Sequence, residues 1–208
     1  MKNSAVTIKI GSSVIFTRRC TLDENRIEDI ARQVVALKKK GTGIVLVVSG
    51  AVACGCAHID ISRNRIVSRQ AAAGLGQVIL NTVFQRVFAR YHVLLAQVLL
   101  TKHDLSSVPR KKQIAEVLAM HVAGGVIPFI NENDVVELNS FSGNDFLAKE
   151  IASMTHAAKL VILSTMKGSP LGVGGGEAKH RAVENARKLG IPTIIADGTE
   201  KDILLKTI

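Results

Sequence analysis

Tryptophan is absent from this chain, tyrosine occurs once, and all aromatic residues together make up 3% of it. The core must therefore be aliphatic, and the stacking platform used by sequence-tolerant single-strand binders is missing. Cysteine is scarce and odd in number: Cys20, Cys54 and Cys56. No disulfide framework follows, free buried thiols are expected, and a reducing cytoplasm fits best. The fragment Cys54-Gly55-Cys56-Ala57-His58 could belong to a metal site, but it lacks a second ligand pair. No apolar stretch has the length of a membrane span. Met1-Lys2-Asn3-Ser4 runs straight into a strand-like segment, so no signal peptide is expected. Acidic residues are few, 17 against 27 Lys and Arg, giving a formal net charge of +10. Such a balance suits an anionic partner. The basic residues are spread along the chain, however. The densest runs, Lys38-Lys39-Lys40 and Arg110-Lys111-Lys112, are short and sit at a helix end and a first helical turn. Steering of anionic metabolites is therefore preferred to nucleic-acid binding, and neither a nucleic-acid nor a membrane partner is expected.

What is present is an alternation of short β-branched runs with longer amphipathic segments. Strands are predicted over 5–10, 44–48, 93–100, 126–130, 159–163 and 191–196. Helices are predicted over 23–40, 65–91, from Pro109 to Gly124-Gly125, and over 144–156, 177–189 and 201–206. Segment 44–48, Ile-Val-Leu-Val-Val, is apolar throughout, as strands covered on both faces require. The alternation implies right-handed crossovers, a mostly parallel sheet and an α/β fold. With 208 residues, 47% of them hydrophobic, and no linker or internal repeat, a single domain over 1–208 is expected.

In such sheets, ligands bind at the C-terminal strand ends, and four of those ends carry unusual residues. The apolar run 126–130 stops in Asn131, Glu132, Asn133 and Asp134, and Asn144-Asp145 follow shortly after. Carboxylates accept hydrogen bonds while amides both donate and accept, so this cluster suits a small polar or zwitterionic ligand. Lys9 alternates with Ile8 and Ile10 and precedes Gly11-Ser12-Ser13. It either grips phosphate with the help of backbone amides and hydroxyls or is a strand-edge lysine reaching solvent. Ser49-Gly50 is either a close ligand approach before a helix N-terminus or an ordinary turn. The Gly172–Gly176 stretch precedes a helix that carries Lys179 in its first turn. A cation there opposes the helix dipole, so either an anion meets Lys179 or the loop is flexible and its lysine solvated. No Walker A loop occurs. Two lysines, glycine loops and a carboxylate–amide cluster at one sheet edge together fit phosphoryl transfer, which rests on positioning and charge stabilisation.

Across nearly its whole length the chain resembles the amino-acid kinase family, most closely its glutamate-phosphorylating branch. The resemblance rests on K-I-G-S-S-V (9–14), V-V-S-G-A-V-A (47–53), R-Q-A-A-A-G-L-G-Q (69–77), Q-V-L-L-T (97–101), V-I-P-F-I-N-E-N-D (126–134), G-N-D-F-L-A (143–148) and G-V-G-G-G-E-A-K (172–179). It implies a three-layer αβα sandwich and ATP-dependent phosphorylation of the glutamate side-chain carboxylate, the first step towards proline. By this resemblance Lys9 and Lys179 stabilise the transferring group and Asp145 orients them. Ser49, Gly50, Asn131, Asp134 and Asn144 hold the amino acid. Gly11, Ser12, Ser164, Thr165, Gly174 and Gly175, with the two lysines, face the nucleotide. Mg²⁺ is shared chiefly between phosphate oxygens and water, without a protein ligand set, and a homo-oligomer is expected.

The chain departs from the family pattern in places. It has Ser142-Gly143-Asn144-Asp145 where the family reads G-D-N-D. It has Leu163-Ser164-Thr165 where the family reads L-T-D, followed by a shortened nucleotide segment. An R-x-x-[YF]-x-N pattern is lost around 110–113. The RNA-modification-type domain that many bacterial members append is not expected. Two alternatives therefore stay open: a kinase of another small carboxylate or phosphate, and a degenerate, non-catalytic amino-acid-binding module.

Overall fold

The computed structural model describes residues 5–56, 58, 59, 65–165 and 176–208, the last segment without the side chains of 176–180 and 182. Six strands form one sheet: β1 (Val6–Ile10), β2 (Ile44–Val48), β3 (Leu95–Leu100), β4 (Ile127–Glu132), β5 (Lys159–Ser164) and β6 (Thr193–Asp197). Their order is β3-β4-β2-β1-β5-β6, and every pairing is parallel. From β1 the chain passes to β2, on to the edge strand β3, back to β4 between β3 and β2, and then crosses to the other side of β1 for β5 and β6. The C-terminal end of β1 is thus the point where the winding reverses, where open α/β sheets leave a ligand crevice.

Period-two alternation sorts the side chains into two aliphatic layers. On one face Ile8, Ile10, Leu46, Val48, Phe129 and Val161 pack under α2 (Glu24–Lys39), α4 (Ile66–Ala89) and α8 (Ile203–Thr207). On the other, Val45, Val47, Ile130, Leu160 and Ile162 pack under α5 (Val108–Ala123), α6 (Asn144–Met154) and α7 (Gly176–Lys188). The result is the three-layer αβα sandwich. Helix ends follow local chemistry. Asp23 accepts the Arg26 amide at the start of α2, whose last turn carries Lys38 and Lys39. Ser107 accepts the Arg110 amide at the start of α5, with Pro109 in its first turn.

The structure amends the sequence reading in four places. β4 runs two residues further than 126–130, because Leu99 and Leu100 of β3 pair with Asn131 and Glu132. β6 starts at Thr193 because the Ile191 amide is taken by the Ala186 carbonyl, 3.1 Å away, at the end of α7. A short helix not expected from the sequence, α1 (Ser12–Ile15), follows β1, while α3 (Ala51–Cys56) follows β2 where Ser49-Gly50-Ala51 is expected to turn into a helical stretch. Of the three free thiols only Cys54 is buried; Cys20 and Cys56 are partly exposed.

Candidate active site

Lys9 takes its place in β1 opposite Val47 of β2 and Ile162 of β5, so it shares their face of the sheet. It is only 5% exposed. A buried ammonium requires a counter-charge, and Asp145 in the first turn of α6 supplies one, 2.8 Å from the Lys9 Nζ. Gly143, immediately before α6, has φ +117°, a conformation open to glycine and strained for other residues. This is the position where the family pattern carries an acid. Glycine here allows the sharp entry that sets Asn144 and Asp145 on the sheet edge.

Asn144 Nδ2 donates to Ser49 Oγ at 3.0 Å and to Asn131 Oδ1 at 2.9 Å. Residues from β2, β4 and α6 are thereby tied together over the end of β1. Asn144 Oδ1 is buried and has no hydrogen-bond partner among the described residues. Gly50 has φ +124°, and a Cβ there would stand 2.7 Å from the Phe16 ring. The turn after β2 is thus held against the loop after α1. Asp134 stands apart from this hydrogen-bonded set. Its carboxylate accepts the Asn139 amide at 3.0 Å, and burial pushes its pKa up, offset by that amide and by Arg69.

The phosphate side is partly described. The Gly11 amide donates to Leu163 O at 3.0 Å, and a Cβ on Gly11 would lie 3.0 Å from that oxygen and 3.5 Å from the Lys9 Nζ. Bare backbone here leaves room beside the ammonium for an anionic oxygen. Ser12 begins α1, and Ser13 Oγ accepts the Thr165 amide at 3.4 Å, joining the ends of β1 and β5. Ser164 is buried at the end of β5. Gly174 and Gly175 lie outside the described residues. Lys179 is placed on α7, but its side chain also lies outside them. Among the described residues no group of three or more His, Cys, Asp or Glu side chains is arranged to hold a metal ion.

Three neighbouring residues have no individual role in the sequence reading, although Glu132 stands in its polar cluster. Gln77 of α4 accepts Asn131 Nδ2 at 2.7 Å, and Gln97 of β3 in turn accepts from Gln77 at 2.9 Å. Glu132 is 3% exposed and accepts the Phe141 amide at 3.1 Å; burial pushes its pKa up to about 7. A signal was available for Gln97, an amide inside an otherwise apolar strand. Gln77 closes the R-Q-A-A-A-G-L-G-Q motif and Glu132 stands in the polar run 131–134, but only the tertiary structure gives either a role.

A family-level comparison matches residues 5–168 to the Amino acid kinase family. A glutamate 5-kinase of Clostridium acetobutylicum is 31% identical, the alignment covering 96% of this chain and 88% of that protein. A glutamate 5-kinase of Thermus thermophilus is 33% identical, with 98% of this chain and 64% of that protein covered. Among solved structures, UMP kinase from Ureaplasma parvum superposes with a TM-score of 0.67 at 13% identity, covering 100% of this chain and 95% of that one. An isopentenyl phosphate kinase gives 0.68 at 13% identity, covering 98% and 95%. At that identity the structural likeness speaks for the fold alone.

Proposed function

This chain belongs to the amino acid kinase family, and from that premise we propose that it transfers the γ-phosphoryl group of ATP to the side-chain carboxylate of glutamate. The product is glutamyl 5-phosphate, on the way to proline. The curated relatives that cover nearly all of the chain carry the name glutamate 5-kinase. The observation that carries the reading is the buried Lys9–Asp145 pair at 2.8 Å, beside the Ser49–Asn144–Asn131 cluster and the bare backbone of Gly11.

The chemistry explains the residue types. A carboxylate acceptor is already ionised at neutral pH, so no general base is required, and the site spends its residues on positioning and charge. A glutamate carboxylate oxygen bonds to the γ-phosphorus as the bond to the β,γ-bridging oxygen breaks, and ADP leaves with that electron pair. Negative charge spreads over the phosphoryl oxygens. Lys9, held in place by Asp145, meets that charge from the β1 side, and Lys179 meets it from α7. Gly11 and Ser12 face the phosphates, with Ser164, Thr165, Gly174 and Gly175 on the nucleotide side. Ser49, Gly50, Asn131, Asp134 and Asn144 hold the amino acid. Bound Mg²⁺ would supply neutralisation of charge on the polyphosphate, and no protein ligand set is assigned to it. The proposal places the whole activity in one domain and in the cytoplasm, where both substrates are found. It also includes self-association, since an uncharged stripe of α4 (Val67, Ala71, Leu75, Val78, Thr82) faces outward.

The test couples ADP release to glutamate and Mg·ATP, with hydroxylamine trapping of the acyl phosphate. Glutamate-dependent ADP and hydroxamate are expected, and Lys9→Met lowers kcat by about 10²-fold or more, the scale of losing a preorganised charge partner. ADP release without hydroxamate would point instead to transfer of the phosphoryl group to water, against glutamate as the acceptor. Turnover indifferent to Lys9→Met would sink the assignment.

A further inference from the structure

A line of amides runs from the edge of the sheet into the candidate site. Gln97 Nε2 donates to the backbone carbonyl of Phe129 at 3.0 Å, leaving its Oε1 to accept from Gln77 Nε2 at 2.9 Å. Gln77 Oε1 then accepts from Asn131 Nδ2 at 2.7 Å. Asn131 Oδ1 accepts both the Glu132 backbone amide and Asn144 Nδ2, each at 2.9 Å.

The direction of this line is not free. Side-chain amides can be turned over at little cost when nothing distinguishes their two ends. Here a backbone carbonyl, an acceptor only, stands at one end. A backbone N–H, a donor only, stands at the other. Turning Gln97, Gln77 or Asn131 over would set acceptor against acceptor or donor against donor at both of its contacts, and turning Asn144 over would do so at Asn131, in a region where unsatisfied polar atoms are costly. Asn144 is therefore compelled to present its Nδ2 to Asn131 and Ser49, which leaves its Oδ1 unpaired among the described residues. That Oδ1 is the buried acceptor without a partner. A carboxylate brought to it would be repelled, whereas an ammonium would give a charge-assisted bond. Ser49 accepts from Asn144, so its own hydroxyl hydrogen remains to be donated to a carboxylate. An acceptor for an ammonium beside a donor for a carboxylate is the pattern of an α-amino acid.

We propose that Gln97 and Gln77 form a fixed-direction amide relay that holds Asn144 Oδ1 ready for the substrate ammonium. Two residues outside the reacting atoms thereby become positioning residues for the choice of an amino acid over its des-amino analogue. The inference rests on the glutamate-kinase reading and adds a selectivity mechanism to it.

Calorimetric titration with glutamate and with glutarate, which lacks the ammonium, tests it without catalysis. The wild-type protein binds glutamate more tightly. Gln77→Met removes the acceptor for Asn131 and weakens glutamate binding about tenfold, the scale of one hydrogen bond, while glutarate changes less than about twofold. In turnover, the KM for glutamate rises similarly, with kcat and the KM for Mg·ATP nearly unchanged. The Gln77→Met/Gln97→Met double variant is no worse than Gln77→Met alone, because the relay is already broken. Gln97→Met, at a half-buried position, carries the same expectation should Gln77→Met fail to fold. Gln33→Met supplies the structural control. Gln33 is fully buried and accepts the Leu204 amide in another part of the molecule, so its loss lowers Tm without altering the glutamate-to-glutarate preference. Equal weakening of both ligands by Gln77→Met, or none, overturns the relay while glutamate-dependent turnover leaves the kinase reading standing. A wild-type protein that neither binds nor phosphorylates glutamate overturns both.

Discussion

Lys9 shows how a single residue changes meaning once its neighbours are known. In the sequence it alternates with Ile8 and Ile10, a pattern shared by strand-edge lysines that reach solvent and by lysines aimed at a ligand. Burial to 5% and the Asp145 carboxylate at 2.8 Å remove the first reading. Glu132 makes the opposite case, since nothing in Asn131-Glu132-Asn133 singles it out. Its burial lifts the carboxyl to about 7, above the ordinary 4.5. The sign follows from linkage. Below about pH 4.5 the acid is neutral in both folded and unfolded chains, and its contribution to stability is whole. Between about 4.5 and 7 the unfolded chain ionises first, and that contribution is lost. Glu132→Gln keeps an acceptor for the Phe141 amide and removes the charge. The variant should therefore gain on the wild type as pH rises from 5 to 8, by up to ~3 kcal/mol or several degrees in Tm. Paired thermal melts at the two pH values check this, and a Tm difference that does not move with pH would count against it.

At the scale of elements, the contact of α3 with α4 decides whether the turn after β2 can be held. A Cβ on Gly76 would lie 1.8 Å from the Ala51 carbonyl oxygen, and one on Gly55 would lie 1.8 Å from that of Ala72. The two helices touch backbone to backbone. In an exposed helix, Gly→Ala stabilises by about 1 kcal/mol. Here the clash wins and the sign reverses. Gly76→Ala should destabilise by ~3 kcal/mol, at the upper end of overpacking costs, and loosen the Ser49–Gly50 turn that α3 follows. Urea denaturation with an unchanged m-value measures it, and a variant as stable as the wild type would refute the close contact. The sequence marks 65–91 as helical because the segment is long and rich in Ala and Gln. It does not show which glycines are contact points, since that depends on a second helix eleven or more residues away. The extension of β4 through Asn131 and Glu132 is hidden for the same reason: polar residues end a strand by local rules, and only pairing with Leu99 and Leu100 keeps them in it.

For the molecule as a whole, sheet order brings positions 9, 49, 131 and 145 to one edge, from segments separated by up to more than a hundred residues. The net charge of +10 favours the approach of anionic substrates to the molecule over that of cations. Among the described residues no helix is long and apolar enough to cross a membrane. The outward stripe of α4 includes Val67 and Val78, 73% and 66% exposed. A helix apolar on nearly every side belongs in an interior, and a second copy of the chain would provide one. Val78→Glu should shift sedimentation velocity towards the monomer at micromolar concentration with little change in Tm, since the side chain is exposed in the single chain. A wild-type protein that sediments as a monomer would refute the self-association.

What the sequence determined by itself was local and periodic. It specified the strand–helix alternation, the aliphatic core, and the segments that end at the C-terminal edge, because each follows from nearest neighbours and from periods of 2 and 3.6. It also carried enough ordered motif to place the chain in its family. Tertiary structure decided the rest: that Lys9 is buried against Asp145, that Gly143 turns at φ +117° to set Asn144 over the strand ends, and that Gln97, Gln77 and Asn131 form a single line of amides. Each of these depends on a partner distant in sequence. A hydrogen bond has a direction and a buried charge has a counter-charge only once both groups have been brought together.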